Sequence, residues 1–84
     1  MRVVNLRKEN YTHYIGRGRD SKLGNPFSIG GPLTRELVID MFDQYARGEL
    51  SILFAIYDLP EDAVLGCFCY PLACHGDVIV KIWR

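Results

Sequence analysis

The sequence predicts a small α/β domain with a three-stranded sheet, mostly parallel or mixed, and about three helices in the order β-β-α-α-β-α. Three observations predict it. The stretch from Thr34 to Gly48 carries apolar residues at a helical period. Ala63-Val64-Leu65-Gly66-Cys67-Phe68-Cys69 is almost wholly apolar, the pattern of a central strand covered on both faces. Two short runs rich in β-branched and aromatic residues precede both. A strand that follows helices joins the sheet by a helical crossover. The 84 residues make one domain, 1–84.

Val3-Val4-Asn5-Leu6 is the first predicted strand and Tyr11-Thr12-His13-Tyr14-Ile15 the second, ended by Gly16. His13 reads as an ordinary surface or core histidine. Next comes a basic, glycine-rich loop, Gly16 to Phe27. Closely spaced Gly16 and Gly18 let a backbone approach a ligand, and Arg17, Arg19 and Lys22 supply cationic donors. No Gly-Lys-Ser/Thr follows, so this is not a Walker loop, and no third glycine completes a dinucleotide fingerprint. Asn25-Pro26 marks a turn, with Phe27 and Ile29 pinning the loop to the core. Gly30-Gly31-Pro32 reads as a hinge.

Thr34 is a good N-cap for the first helix. Leu37, Val38, Met41, Phe42 and Tyr45 form its inward stripe, Ile39 departs from it, and Gly48 ends it. Glu49 to Asp58 reads as a second helix with Leu50, Leu53, Phe54 and Tyr57 inward. Ile52 and Ile56 make it apolar on a second side, which implies deep burial or a face that meets a partner. The last segment, Asp77 to Arg84, alternates like a strand yet also fits a helical face. A helix is chosen, because Asp77 suits the positive end of a helix dipole and Lys81 and Arg84 the negative end.

Composition bounds the function. The apolar and charged fractions, 49% and 24%, are those of a globular protein, and no apolar run is long enough to span a bilayer. Met1-Arg2-Val3-Val4-Asn5 shows no signal-peptide pattern, which gives the expectation of a cytoplasmic protein without a membrane partner. Formal net charge is zero, but residues 1–23 hold six basic against two acidic side chains and the rest four against eight. A basic front third suits a small anion, while overall neutrality argues against a large duplex footprint. Monomer and homodimer both fit a chain of this size.

All three cysteines fall in Leu65–Asp77, with one of the two histidines. That stretch is the predicted junction between the central strand and the last helix, where α/β sheets collect ligands. Cys67 and Cys69, two apart on a strand, would share a face. Three readings stand. In the first, Cys74 at a helix N-terminus is a nucleophile, with His75 or Asp77 as proton carrier. In the second, Cys67, Cys69, Cys74 and His75 bind zinc, although C-x-C-x4-C-H differs from paired C-x2-C knuckles and no cofactor is otherwise indicated. In the third, the cysteines are small buried hydrophobes and His75 caps a turn.

The chain resembles a family of small proteins from phages and bacteria, catalogued as a domain of unknown function. The resemblance rests on Val3–Arg7, Tyr14-Ile15-Gly16-Arg17-Gly18, Gly24-Asn25-Pro26-Phe27, Thr34-Arg35-Glu36, Leu65–Cys69 and Pro71–Asp77. Phe68 stands where the family pattern has tryptophan. The resemblance implies that the Ile-Gly-Arg and Cys-His-Gly motifs work as a pair. Arg17, Gly18, Asn25 and Asn5 would then hold a nucleotide-like or nucleic-acid-derived anion, with Cys74, His75 and Asp77 beside it. A phage-encoded chain would act in the host-cell cytoplasm. The alternative is a non-catalytic accessory protein that binds a host protein or nucleic acid, its cysteines structural or zinc-bound.

Overall fold

The computed structural model describes residues 1–18 and 21–84, so Arg19 of the basic loop lies outside the described residues. The elements run β1 (Arg2–Asn5), β2 (His13–Tyr14), α1 (Arg35–Gly48), α2 (Leu50–Tyr57), β3 (Val64–Cys67) and α3 (His75–Trp83). The order is the one the sequence predicts. β3 is central, and both β1 and β2 run parallel to it. The α1–α2 hairpin is the crossover from β2 to β3.

Register assigns the faces. Val3 pairs with Leu65 and Val4 with Gly66. Leu65 and Cys67 face a core shared with Phe42 and Ala46 of α1, Ile52 and Ile56 of α2, and Val78, Ile79 and Ile82 of α3. Each large side chain so buried contributes about 1.5–3 kcal/mol. α3 lies close on the sheet because Gly76 has no side chain. A Cβ there would come within 2.8 Å of Ile15 and 2.9 Å of Val3.

Several boundaries and faces differ from expectation. β2 is two residues, not five; just before it Thr12 donates its backbone N–H to the Val64 carbonyl at 2.9 Å, while the Val64 N–H is taken by the Thr12 hydroxyl at 2.8 Å rather than by a strand carbonyl. β3 ends at Cys67, so Cys69 is not on the strand and does not share a strand face with Cys67. The Asn5 side chain bends the chain there, its Nδ2 donating to the Tyr70 carbonyl at 2.9 Å. α1 is capped by Thr34 Oγ1, which accepts from the Leu37 N–H at 3.2 Å, but it buries Val38, Phe42 and Ala46 and leaves Leu37 exposed. Gly48 is its last helical residue, not the residue beyond it. α2 is turned from the predicted face: Ile52 and Ile56 are buried, while Leu50, Phe54 and Tyr57 are 67%, 66% and 58% exposed. Leu50-Ser51-Ile52-Leu53-Phe54-Ala55-Ile56-Tyr57 has no charged residue to mark a wet side. Gly30-Gly31-Pro32-Leu33 closes as a tight turn, with paired N–H···O bonds of 2.9 Å between Gly30 and Leu33. No described helix is long and apolar enough to cross a membrane.

Candidate functional site

At the C-terminal ends of β2 and β3 two segments leave the sheet and face each other across a cleft of about 380 Å3. One wall comes from the loop after β2, with Gly16, Arg17, Asn25 and Phe27. The other comes from the turn after β3 and the start of α3, with Cys67, Phe68, Cys69, Ala73, Cys74 and His75. Arg35 and Val38, in the first turns of α1, close the back. The two motifs that the sequence set far apart therefore share one hollow.

The loop wall is built by side chains that grip backbone. Arg17 Nε donates to the Asn25 carbonyl at 2.9 Å and its Nη2 to the Phe27 carbonyl at 3.0 Å. The Tyr14 hydroxyl donates to the Arg17 carbonyl at 2.9 Å. Buried Asn25 donates through Nδ2 to the Val38 carbonyl and accepts the Phe27 N–H on Oδ1, at 3.0 and 2.9 Å. Both ends of the Asn25 amide are thus engaged in positioning the loop. Gly24 allows the loop to close on itself, since a Cβ there would sit 2.7 Å from the Gly16 carbonyl oxygen. Arg17 itself lines the cleft.

His75 ties the two walls together. Its Nε2 lies 2.8 Å from the Ile15 carbonyl and 2.9 Å from the Leu23 carbonyl. Carbonyls only accept, so Nε2 carries the proton and donates to both. Burial holds the imidazole below its ordinary range. The two carbonyls and Asp77 act in the opposite sense, and the Arg17 charge adds to the lowering. The neutral ring therefore leaves Nδ1 as a lone pair, and its edge packs against Phe42 at 4.9 Å between centroids.

Cys74, its neighbour, has a different chemistry. It is the N-cap of α3, where its Sγ accepts the Gly76 N–H at 3.3 Å and its own N–H donates to Asp77 Oδ2 at 3.3 Å. A helix N-terminus favours a thiolate, but burial wins and pushes the thiol up to about 12. The Gly76 N–H acts against this, while Cys67 and Asp77 add to it. At neutral pH Cys74 is held mainly as the thiol, which makes it a slow nucleophile rather than an activated one. Cys67 Sγ lies 3.5 Å from Cys74 Sγ, and all three cysteines are free.

The structure does not bring every predicted site residue together. Asn5 lies outside the cleft and braces the cysteine turn through the Nδ2 bond to the Tyr70 carbonyl, while its Oδ1 accepts the Arg7 N–H at 2.9 Å. Gly18 lines a separate open groove between β2 and α2, beside Thr12, Lys22, Phe54 and Tyr57. Asp77 is exposed and serves as a cap carboxylate. Among the described residues no three of His, Cys, Asp and Glu converge to hold a metal. His75 Nε2 is turned away to the two carbonyls, and Cys69 has left the strand, so the predicted Cys67–Cys69–Cys74–His75 set does not form a metal shell. Sequence reasoning missed Arg35, which lines the cleft and donates through Nη1 to the Ala73 carbonyl at 3.0 Å. Its place directly after the Thr34 cap was the available signal. Tyr14, Phe27 and Phe68 were missed as cleft aromatics.

The fold and this cleft define a class: a small parallel α/β domain with its cleft at the strands' C-terminal ends, walled by a glycine loop and a Cys-His-Gly turn. More particularly, the chain belongs to the family described as a domain of unknown function, DUF4326, whose pattern matches residues 2–84. No curated protein and no solved structure matches it.

Proposed function

We propose that this protein binds a nucleotide-like anion in the cleft between the Gly16–Phe27 loop and the Cys69–Asp77 turn. One observation carries the reading. Arg17 and Arg35 line a single cleft, and among the described residues neither forms an ion pair, the ion pairs there being Arg2–Glu9 and Arg47–Asp43. Two guanidinium groups with no carboxylate partner among the described residues favour an anionic guest, and their forked geometry suits phosphate. Tyr14, Phe27 and Phe68 add apolar surface for a flat ring. Any proton transfer at this site falls to His75 Nδ1, since the high thiol pKa makes Cys74 a poor proton carrier at neutral pH. The three free thiols support a cytoplasmic location.

Calorimetric titration with nucleoside monophosphates, and with inorganic phosphate alone, tests this. The expected result is saturable binding of a nucleotide that Arg35→Gln weakens roughly 10- to 100-fold, the loss of one charge-assisted contact. Absence of binding by every nucleotide tried, or unchanged affinity in Arg35→Gln, contradicts it.

A second reading, an accessory protein that docks on a protein partner, is favoured by the exposed Leu50, Phe54 and Tyr57 on α2. In that case Phe54→Ser abolishes partner capture and leaves nucleotide binding intact.

A further inference from the structure

We propose that Cys67 and Cys74 are a reversible dithiol–disulfide pair, oxidised by low-molecular-weight disulfides to clamp the start of α3 onto the end of β3. The proposal is independent of the anion reading, which uses neither sulfur. Three observations carry it. The two Sγ atoms are in contact at 3.5 Å, although seven residues separate them and they belong to different elements. Both are free thiols. Both border the cleft together with half-buried Cys69, but Cys67 and Cys74 are only 2% and 4% exposed, so a small oxidant reaches them through local opening of the cleft wall.

A disulfide needs its sulfurs about 2.05 Å apart, so atoms already touching have a short distance to close by side-chain rotation. The chemistry balances with a disulfide RSSR as oxidant. One cysteine sulfur gives up its proton and attacks RSSR. This forms a mixed disulfide and expels RS−, which takes up the proton as RSH. The second cysteine sulfur then loses its proton and attacks the protein-bound sulfur, closing the Cys67–Cys74 bond and releasing a second RSH. The two thiols are oxidised by two electrons, and RSSR is reduced to two RSH. The new bond withdraws the Cys74 Sγ from the Gly76 N–H, exchanging a weak cap for a covalent tie. The raised Cys74 pKa makes the exchange slow at neutral pH and faster as pH rises.

The test incubates the full chain with oxidised or reduced glutathione, alkylates remaining thiols under denaturing conditions and reads the mass. The expected product has lost two hydrogens and carries one alkyl group, on Cys69 by fragment ions. It melts roughly 10 °C above the reduced form. Reduced glutathione should restore three alkylated cysteines. Cys69→Ser keeps the shift, whereas Cys67→Ser and Cys74→Ser lose it. A glutathione adduct confined to Cys69, a bridge that includes Cys69, or three free thiols after oxidation overturns the proposal. Because the wild-type mass reading stands alone, a variant that fails to fold does not rescue it.

Discussion

The cleft at the strand ends and the groove between β2 and α2 sit on the same small domain but are built on opposite plans. In the cleft, polar side chains are spent on backbone: Arg17, Asn25, His75 and Arg35 each grip carbonyls at 2.8–3.0 Å. In the groove, Phe54 and Tyr57 stand exposed beside Thr12 and Lys22. The first plan fixes a shape in advance, which lowers the ordering cost of binding a small ligand. The second offers area without fixed polar direction, the character of a docking face.

If the cleft is held by buried polar ties, cutting one should be costly. His75→Ala removes the donor to two carbonyls and opens a void beside Phe42. Denaturant unfolding should show a loss of about 3–4 kcal/mol. Asn25→Ala strands the Phe27 N–H and the Val38 carbonyl and should cost about 2 kcal/mol by the same measurement. A loss under about 0.5 kcal/mol in either would mean that the ties do not organise the cleft.

Acid should expose His75 next. Its folded pKa lies below the ordinary imidazole value of about 6.5. Below that pH the unfolded chain takes up a proton that the folded chain refuses, so the unfolded state binds more protons and stability rises with pH. Stability is full above about pH 6.5 and declines as pH falls from there toward the depressed folded value. Melting curves between pH 7.5 and 5 check this, and the decline should be reduced in His75→Gln. A flat profile contradicts a neutral buried ring.

The groove gives the smallest effect and the sharpest contrast. Phe54→Ser changes an exposed side chain, so unfolding free energy should move by no more than about 0.5 kcal/mol. A loss of 2 kcal/mol or more would show that Phe54 packs in the core, as the sequence pattern suggested.

Much of this fold was legible. Thr34 with the following apolar period specified α1, and the unbroken apolar run specified β3. Asp77 near the start and Lys81 near the end specified α3 over a competing strand. What escaped had physical reasons. α2 carries no charge, so nothing in its sequence says which apolar side faces water. Cys69 reads as strand until Asn5, more than sixty residues earlier, turns the chain away. The meeting of the Ile-Gly-Arg and Cys-His-Gly motifs came from the family resemblance, not from spacing. The roles of Asn25 and Arg17 in loop-building were hidden, because their partners are carbonyls that any sequence has. Cys74 shows a competition that only burial decides: the helix terminus lowers a thiol pKa and desolvation raises it.

Backbone and side-chain NMR shifts followed during titration with a nucleoside monophosphate test the central claim most directly. The account predicts saturable changes at Arg17, Arg35 and His75, with the β2–α2 groove unmoved. Changes centred on Thr12, Lys22, Phe54 and Tyr57, with the cleft silent, would contradict it.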